Sequence, residues 1–315
     1  MRNALASEIT DLAAADQRIV LLSGDIGNQM FDRYKSKFPD RFLNCGVAEA
    51  NMMSVAAGMA LCGLRPVTYT IASFSTTRCL EQIRVDVCCH NAPVVIVGVG
   101  AGLSYASLNP THHSCEDIAF LRMLPNITIL CPGDPTEVRL ALRAALKHEG
   151  PVYIRLGKKG EPIVHTGTPN FVIGKGITVR EGTDVCLIGT GNVLSLAVEA
   201  ADELSRKGCS AQVISFHTVK PLDQDLLSKV FSRFGLVVTI EEHNLNGGLG
   251  GSIAEWLADQ AIPKARLCRI GTADWFLLQA GEQEYARERY GLTPEAIAEK
   301  VWKTLSRSSS GDALP

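Results

Sequence analysis

The sequence predicts an α/β protein with two doubly wound domains, each built on a mostly parallel sheet. Short runs rich in β-branched residues alternate with longer helical patterns along the whole chain. Several of these short runs are apolar throughout, as expected of strands that helices cover on both faces. The length of 315 residues is typical of two domains of ordinary size.

The first domain is predicted over residues 1–160. Its strands are expected at Ile19–Ser23, Pro66–Ala72, Val94–Gly100, Ile127–Cys131 and Val152–Leu156. Its helices are expected at Asn3–Ala15, Ala48–Cys62, Ser75–Cys89, Cys115–Met123 and Pro135–His148. The second of these helices precedes Gly63, and glycine is a favoured residue just past a helix end.

Residues 161–182 are predicted to link the domains, because this stretch is rich in Gly, Lys, Pro and Thr and has little periodic pattern. The second domain is predicted over residues 183–305. Its strands are expected at Asp184–Gly189, Ala211–Phe216, Val237–Glu241 and Arg266–Ile270, and its helices at Asn192–Lys207, Gln224–Phe234, Gly251–Ala261 and Thr293–Leu305. The polar tail, residues 306–315, is predicted to be disordered.

Composition excludes several classes of protein. The formal net charge of −2 provides no basic field for nucleic acid and no polybasic face for a membrane surface. No apolar run approaches the ~18 residues that a membrane span needs, and no leader pattern is evident, so a cytoplasmic protein is predicted. The ten cysteines are scattered without a Cys-x-x-Cys spacing, which favours reduced thiols over zinc ligands.

Five segments carry a resemblance to a known family. They are Asn44–Met52 (NCGVAEANM), Phe74–Arg84 (FSTTRCLEQIR), Pro110–Arg122 (PTHHSCEDIAFLR), Lys220–Asp223 (KPLD) and Glu241–His243 (EEH). In this order they resemble the pyrimidine-binding and C-terminal domains of transketolases, which are thiamine-diphosphate enzymes. The likeness is to the separate C-terminal (beta) subunits of split transketolases and, next, to deoxyxylulose-phosphate synthases.

The resemblance implies thiamine diphosphate as cofactor and assigns Glu49 to its activation. In this family a glutamate hydrogen-bonds N1′ of the aminopyrimidine, so that the protein sets the protonation state of the cofactor. Phe74 matches an aromatic residue that packs against the same ring, with Ile71, Thr77 and Arg78 as further cofactor-binding candidates around it. The alternatives are a glutamate that the helix dipole favours in a first turn and an ordinary core phenylalanine.

Histidine and aspartate positions extend the predicted site. His112 matches a catalytic histidine that contacts the hydroxyl groups of the donor, and His113 beside it is a further substrate-binding candidate. The Thr-His-His loop could instead cap the following helix. Asp25 follows the first strand, where the ligand-facing loops of a parallel sheet lie, and matches an aspartate near the cofactor. A turn-forming Gly-Asp is the alternative.

Arg2 and Arg155 match arginines that hold the phosphate of sugar-phosphate substrates, a group that a guanidinium can bind through two parallel hydrogen bonds. A solvated salt bridge is the alternative for each. Two positions depart from the family pattern, because Leu108 replaces an acceptor-binding aspartate and Gly100 replaces a histidine that helps to hold substrate. The loss of two polar contacts predicts an atypical acceptor.

The sequence also lacks the Gly-Asp-Gly motif that holds the divalent cation of this cofactor in the family. The resemblance therefore implies that Mg²⁺ (or Ca²⁺ or Mn²⁺) is bound by a partner, an N-terminal (alpha) transketolase subunit, and that this chain contributes no metal ligand. A heterotetramer with two copies of each subunit is expected.

The predicted function is transfer of a two-carbon ketol unit from a ketose or ketose phosphate to an aldehyde acceptor, active only with the partner. Two alternatives remain open. One is a subunit of a thiamine-diphosphate enzyme that decarboxylates 2-oxo acids, like deoxyxylulose-phosphate synthase or the beta subunits of 2-oxo acid dehydrogenases. The other is a non-catalytic scaffold subunit.

Overall fold

The structure is a computed structural model that describes residues 1–27, 29–158, 160–261 and 265–309, with side chains described up to residue 306.

The first domain is built on a parallel sheet. Its strands are β1 (Ile19–Ser23), β2 (Phe42–Asn44), β3 (Arg65–Ile71), β4 (Val95–Val99), β5 (Thr128–Leu130) and β6 (Val152–Leu156). These strands lie in the spatial order β5-β6-β4-β3-β1-β2 and all pair in parallel. Every residue of β1, β4 and β6 is buried, which confirms the prediction of strands covered on both faces.

Helices cover this sheet on both faces. They are α1 (Arg2–Ala15), α2 (Asp32–Lys37), α3 (Glu49–Leu61), α4 (Ala72–Thr76), α5 (Leu80–Gln82), α6 (Asp117–Arg122) and α7 (Pro135–Lys147). Apolar residues of α1 and α7 pack on one face, and those of α3 and α6 pack on the other. A 3-10 turn joins α4 to α5, and a π-helical turn at Ile83–Cys88 follows, so residues 72–88 form one irregular helical stretch.

The second domain contains β7 (Ile177–Arg180), β8 (Val185–Thr190), β9 (Ala211–Ser215), β10 (Thr218–Lys220), β11 (Leu236–Asn244) and β12 (Arg266–Thr272). Its helices are α8 (Leu194–Arg206), α9 (Gln224–Arg233), α10 (Leu249–Ala258), α11 (Gln283–Tyr290) and α12 (Pro294–Ser309). Its sheet has the order β12-β11-β8-β9-β7 and is parallel except for β7. Strand β10 instead extends the first sheet, antiparallel to β5. Two mostly parallel sheets confirm the predicted fold class.

Several elements and boundaries differ from the sequence predictions, and β2, α2 and α11 lie where no element was predicted. The predicted linker, residues 161–182, includes β7, a partly exposed edge strand without an apolar run. Strand β10 was missed because three residues next to a proline carry little pattern, and its pairing depends on the other domain. The predicted disordered tail begins inside α12, which continues to Ser309. Residues 310–315, the rest of that tail, lie outside the described residues.

A buried arginine of the first sheet pairs with a carboxylate of its own domain and also bonds to the backbone of the second domain. Arg155 in β6 is 2% exposed, and its Nε donates to Oδ2 of Asp117 at 2.8 Å. Its Nη2 donates to the carbonyl oxygens of Ser114 at 2.8 Å and of Glu242, in β11, at 3.0 Å. Burial alone would raise the pKa of Asp117, but the positive charge of Arg155 holds it below its usual value.

A second buried carboxylate, that of Glu242, ties the loop after β4 to the second domain. We call residues 100–116 the β4 loop. Groups of both domains donate hydrogen bonds to this carboxylate. The donors are Leu103 N (2.8 Å), Asn192 Nδ2 (3.1 Å), Gln283 Nε2 (2.9 Å) and Arg287 Nε (2.5 Å). The β4 loop is therefore fixed at its base by a group that the second domain supplies.

Replacement of Arg155 by leucine should destabilise the protein by about 3–5 kcal/mol, because the Asp117 carboxylate is left buried without its cation. The free energy of unfolding, measured by urea denaturation, checks this. The matched control is Arg33→Leu, since Arg33 pairs with Asp11 where both side chains are more than half exposed, at 53% and 54%. The control should cost no more than about 1 kcal/mol. Equal losses in the two variants would contradict the account.

Replacement of Glu242 by glutamine should loosen the β4 loop, because an amide carries one acceptor and places an N–H group against the donors around it. We expect hydrogen exchange at the Leu103 amide to accelerate by about tenfold or more, which corresponds to about 1.4 kcal/mol. Glu255→Gln, at a surface ion pair with Arg122, is the control. Unchanged exchange across residues 100–116 in Glu242→Gln would show that the carboxylate does not hold the loop.

Candidate active site

Several segments meet at the carboxyl edge of the first sheet. The turns after β1, β3, β4 and β6 leave the sheet on this side, because parallel strands all end at the same edge. Most of the side chains that the sequence singled out lie on these turns or at the start of α1 and α3. The edge is therefore where a ligand would contact the first domain.

Glu49 opens α3 and is buried, with 1% of its surface exposed. Its Oε2 accepts a hydrogen bond from Nη1 of Arg78 at 2.8 Å. The guanidinium of Arg78 lies over the ring of Phe74, 4.1 Å from the ring centroid. The ring of Phe74 meets that of His112 at an interplanar angle of 60°, with the centroids 5.2 Å apart. Four predicted residues thus form one contiguous group.

The turn after β1 approaches this group closely. A Cβ on Gly24 would lie 2.9 Å from Oγ1 of Thr70 and 3.3 Å from Cγ of Glu49, so glycine permits the approach. Asp25 follows with a positive φ of 57°, and its Oδ1 accepts a hydrogen bond from Nδ2 of Asn44 at 2.9 Å. This turn places the exposed carboxylate of Asp25 at the edge of the group around Glu49.

Phe74, Thr77 and Arg78 line a cleft with a volume of about 460 Å³. Ile71, the last residue of β3, is buried at the base of α4. The opposite wall comes from the β4 loop, from α6 and from Phe276 of the second domain. The candidate cofactor residues therefore border an open cleft to which both domains contribute.

His112, which contacts Phe74 and follows Thr111 of the cleft wall, has the chemistry of a proton donor and acceptor. Its Nδ1 lies 2.9 Å from Oγ1 of Thr111. Burial and the nearby charge of Arg78 lower its pKa below the usual value for histidine. A neutral imidazole prevails near neutral pH, and it offers one nitrogen that donates and one that accepts a hydrogen bond.

His113 occupies different surroundings. It is buried, and it lines both the cleft and a smaller cavity of about 240 Å³ between the domains. Trp275 and Tyr290 of the second domain form part of that cavity. Burial lowers the pKa of His113. The structure places His113 at the domain boundary rather than beside Phe74.

Arg2 begins α1 and lies beside the phenol groups of Tyr69 and Tyr105. Burial raises the pKa of both phenols, and the positive charge of Arg2 opposes that rise. Among the described residues, Nε of Arg2 is buried and has no hydrogen-bond partner. A buried donor of this kind is suited to a ligand that accepts hydrogen bonds.

Arg155, the other arginine predicted to bind phosphate, does not reach the cleft. Its guanidinium is buried and bonds to Asp117, Ser114 and Glu242. A contact to substrate phosphate needs an accessible guanidinium, and that of Arg155 is instead occupied by an ion pair with Asp117 and by a hydrogen bond to the second domain. From the sequence alone, an arginine at the end of a strand could bind a phosphate or form a buried ion pair, because the sequence does not reveal the acid that pairs with it.

The sequence did not single out Tyr105, which lies beside His112, or Lys158, which lies over the Tyr105 ring. The ring centroid of Tyr105 lies 6.1 Å from that of His112, and Nζ of Lys158 lies 4.6 Å from the Tyr105 centroid. A Cβ on Gly100 would lie 1.9 Å from the Tyr105 ring, so the ring occupies the space beside Gly100. In the sequence, the only sign of this arrangement is Gly100 in place of a family histidine. That replacement does not reveal which side chain fills the space.

Clusters of metal-ligating side chains and membrane-spanning helices are both absent from the described part of the chain. Within these ranges, no group of three or more His, Cys, Asp or Glu side chains is arranged to hold a metal ion. Among the same residues, no helix has the length and apolar character of a membrane span.

Comparison with known proteins matches both domains. The family model for the transketolase pyrimidine-binding domain matches residues 1–161, and the model for the transketolase C-terminal domain matches residues 174–297. The 6-deoxy-6-sulfo-D-fructose transketolase subunit SqwH of Clostridium sp. strain MSTE9 is 34% identical over 310 residues, which cover 98% of this chain and 95% of the relative. An apulose-4-phosphate transketolase subunit of Actinobacillus succinogenes is 37% identical over 263 residues, 84% of each chain.

A solved structure extends the match to three dimensions. A split gene transketolase, an inactive beta4 tetramer, superposes with a TM-score of 0.87 at 36% identity over 97% of each chain. The matched families cover both domains, and the relatives align over most of their length. The chain therefore belongs to the thiamine-diphosphate-dependent transketolase family, of which it carries the pyrimidine-binding and C-terminal domains.

Proposed function

We propose that this chain, with a partner subunit, transfers a two-carbon ketol unit from an anionic ketose to an aldehyde acceptor. The observation that supports this most is the contiguous group of Glu49, Arg78, Phe74 and His112 beside an open cleft. A buried carboxylate, a flat aromatic surface and a neutral histidine stand together where both a cofactor ring and a sugar can enter.

The residues around Glu49 fit the aminopyrimidine of thiamine diphosphate. The carboxylate is buried, and Phe74 offers a flat apolar surface for the ring. The hydroxyl groups of Thr70 and Ser73 are buried without a hydrogen-bond partner among the described residues, so they can meet polar ring atoms. When bound, the cofactor supplies the carbon that takes up the two-carbon unit. Glu49 holds a proton between its carboxyl oxygen and a ring nitrogen.

The remaining residues act on the sugar and at the margin of the site. His112 accepts a proton from a donor hydroxyl and returns it, which its neutral imidazole allows. The unpartnered Nε of Arg2 donates to an anionic group at the far end of the substrate. Asp25, at the turn after β1, lies near the cofactor in this proposal.

A partner subunit completes the site in this proposal. The chain has no Gly-Asp-Gly motif, so an N-terminal (alpha) subunit supplies the diphosphate site and holds Mg²⁺, Ca²⁺ or Mn²⁺. The assembly is a heterotetramer of two plus two subunits, and the cytoplasmic location expected from the sequence stays a prediction. The relatives named above are transketolase subunits, which favours ketol transfer over decarboxylation of 2-oxo acids and over a scaffold role.

The substrate is proposed to be unusual for the family. The relatives carry the names of a sulfonated deoxyketose and of a sugar phosphate, both anionic. In this chain Leu108 and Gly100 stand where two polar contacts of the family would be. A site with these replacements loses binding energy toward ordinary aldose phosphates, which need those contacts for their hydroxyl groups.

The Glu49→Gln variant of the reconstituted complex should lose ketol transfer by about 10²- to 10⁴-fold in kcat, because the amide cannot share a proton with the cofactor ring. Donor-dependent product formation measures the loss, and size-exclusion chromatography checks that the complex still assembles. Glu81→Gln, at an exposed position of α5, is the matched control and should keep full activity. Full activity in Glu49→Gln would overturn the assigned role.

Titration of the chain with thiamine diphosphate and Mg²⁺ should give tight binding only after the partner subunit is added, because the diphosphate site lies on the partner. Calorimetry on the separate subunits and on the mixture checks this. Removal of the metal with a chelator should release the cofactor from the mixture. Release of CO₂ from pyruvate, without ketol transfer, would instead support the decarboxylating alternative.

A further inference from the structure

Tyr105 is partly exposed beside His112 and has no assigned role. We propose that the Tyr105 ring limits the length of the aldehyde acceptor, so that short anionic aldehydes fit and longer aldose phosphates are rejected. This inference rests on the proposed function and names the substrate class for the same site.

The ring of Tyr105 and the backbone at Gly100 are matched to each other. Gly100 has a positive φ of 73°, a conformation that glycine adopts without strain. A Cβ at this position would lie 1.9 Å from Cε2 and 2.2 Å from Cδ2 of Tyr105. No side chain at position 100 is compatible with this ring position, so the ring fills the space that a side chain at position 100 would occupy.

The ring is held in place by its loop. Leu108 N donates to the carbonyl oxygen of Tyr105 at 2.8 Å, in a 3-10 turn. Gly102 and Ser114 exchange two backbone hydrogen bonds at the base of the β4 loop, with distances of 2.8 and 2.9 Å. The Glu242 carboxylate accepts from Leu103 N at the same base. A ring anchored in this way acts as a wall with a defined position.

The neighbours of the ring show which part of the substrate it would meet. His112, assigned to the hydroxyl groups of the donor, lies on one side at 6.1 Å between centroids. The ammonium group of Lys158 lies over the ring face at 4.6 Å, and Arg2 is close to the phenol. Tyr105 therefore stands between the reacting end of the site and a cluster of cations. This placement restricts the distance that can separate the aldehyde carbon of a substrate from its anionic group.

The ring also changes the chemistry of that wall. Aromatic carbon of Tyr105 fills the space beside Gly100, at the position where the resemblance implies a histidine in the family. Sugar hydroxyls that press against aromatic carbon lose hydrogen bonds to water and gain none. A short acceptor avoids this cost, and a longer polyhydroxylated one does not.

The test compares two acceptors in the complete complex, glyceraldehyde 3-phosphate and ribose 5-phosphate, with one ketose donor. Wild type should prefer the shorter acceptor in kcat/KM. Tyr105→Ala should shift the ratio of the two kcat/KM values toward ribose 5-phosphate by about tenfold or more. Tyr105→Phe, which keeps the ring, should retain the wild-type ratio.

Two further variants keep the test decisive if Tyr105→Ala folds poorly. Gly100→Ala leaves Tyr105 unchanged but displaces its ring, and it should shift the ratio in the same direction. Tyr285→Ala, at an exposed tyrosine of α11, is the matched control and should leave the ratio unchanged. Thermal unfolding of each variant checks its fold.

The outcomes separate this inference from the proposed function. Transfer by wild type, with the same acceptor ratio in Tyr105→Ala and Gly100→Ala, overturns the inference and leaves the function standing. A shifted ratio in both variants supports it. A wild-type complex without ketol transfer to any acceptor overturns both.

Discussion

The site depends on one carboxylate that has almost no contact with water. A buried carboxylate is costly unless a cation or several donors compensate it, and among the described residues Glu49 pairs with one cation, Arg78. Arg78 is itself held over Phe74, and Phe74 contacts His112. The positions of three side chains around the cleft therefore follow from the need to compensate one charge. The turn at Gly24 can approach the same carboxylate because glycine has no Cβ.

The second domain contributes to the candidate site by hydrogen bonds that position the β4 loop of the first domain. Glu242 accepts from Leu103 N, and the carbonyl oxygen of Glu242 accepts from Arg155. Leu103 lies near one end of the β4 loop, and Arg155 also donates to the carbonyl oxygen of Ser114 near the other end. This loop carries both Tyr105 and His112. Separation of the two domains would break these buried contacts at a large cost in free energy. We therefore expect the domains to move as one unit around this loop. The C-terminal domain of this chain thus helps to shape a site whose chemistry lies in the first domain.

Much of this architecture could be predicted from the sequence. Continuous apolar runs identified β1, β4 and β6, since both faces of each strand are buried. Among the elements that were missed, β7 is a partly exposed edge strand, and α11 has a strongly polar sequence that gives a weak periodic signal. Motif order predicted that Glu49, Phe74 and His112 lie together, and their side chains belong to one contiguous group in the structure. The same motifs could not distinguish an arginine bonded to Asp117 from one that faces a ligand, and they could not locate the ring that fills the space beside Gly100.

The most direct measurement of the central claim is a structure of the assembled complex with thiamine diphosphate bound. The account predicts a hydrogen bond of about 2.6–3.2 Å between an Oε atom of Glu49 and N1′ of the pyrimidine, with the ring against Phe74. A pyrimidine bound elsewhere, with Glu49 in contact only with Arg78, would contradict the account.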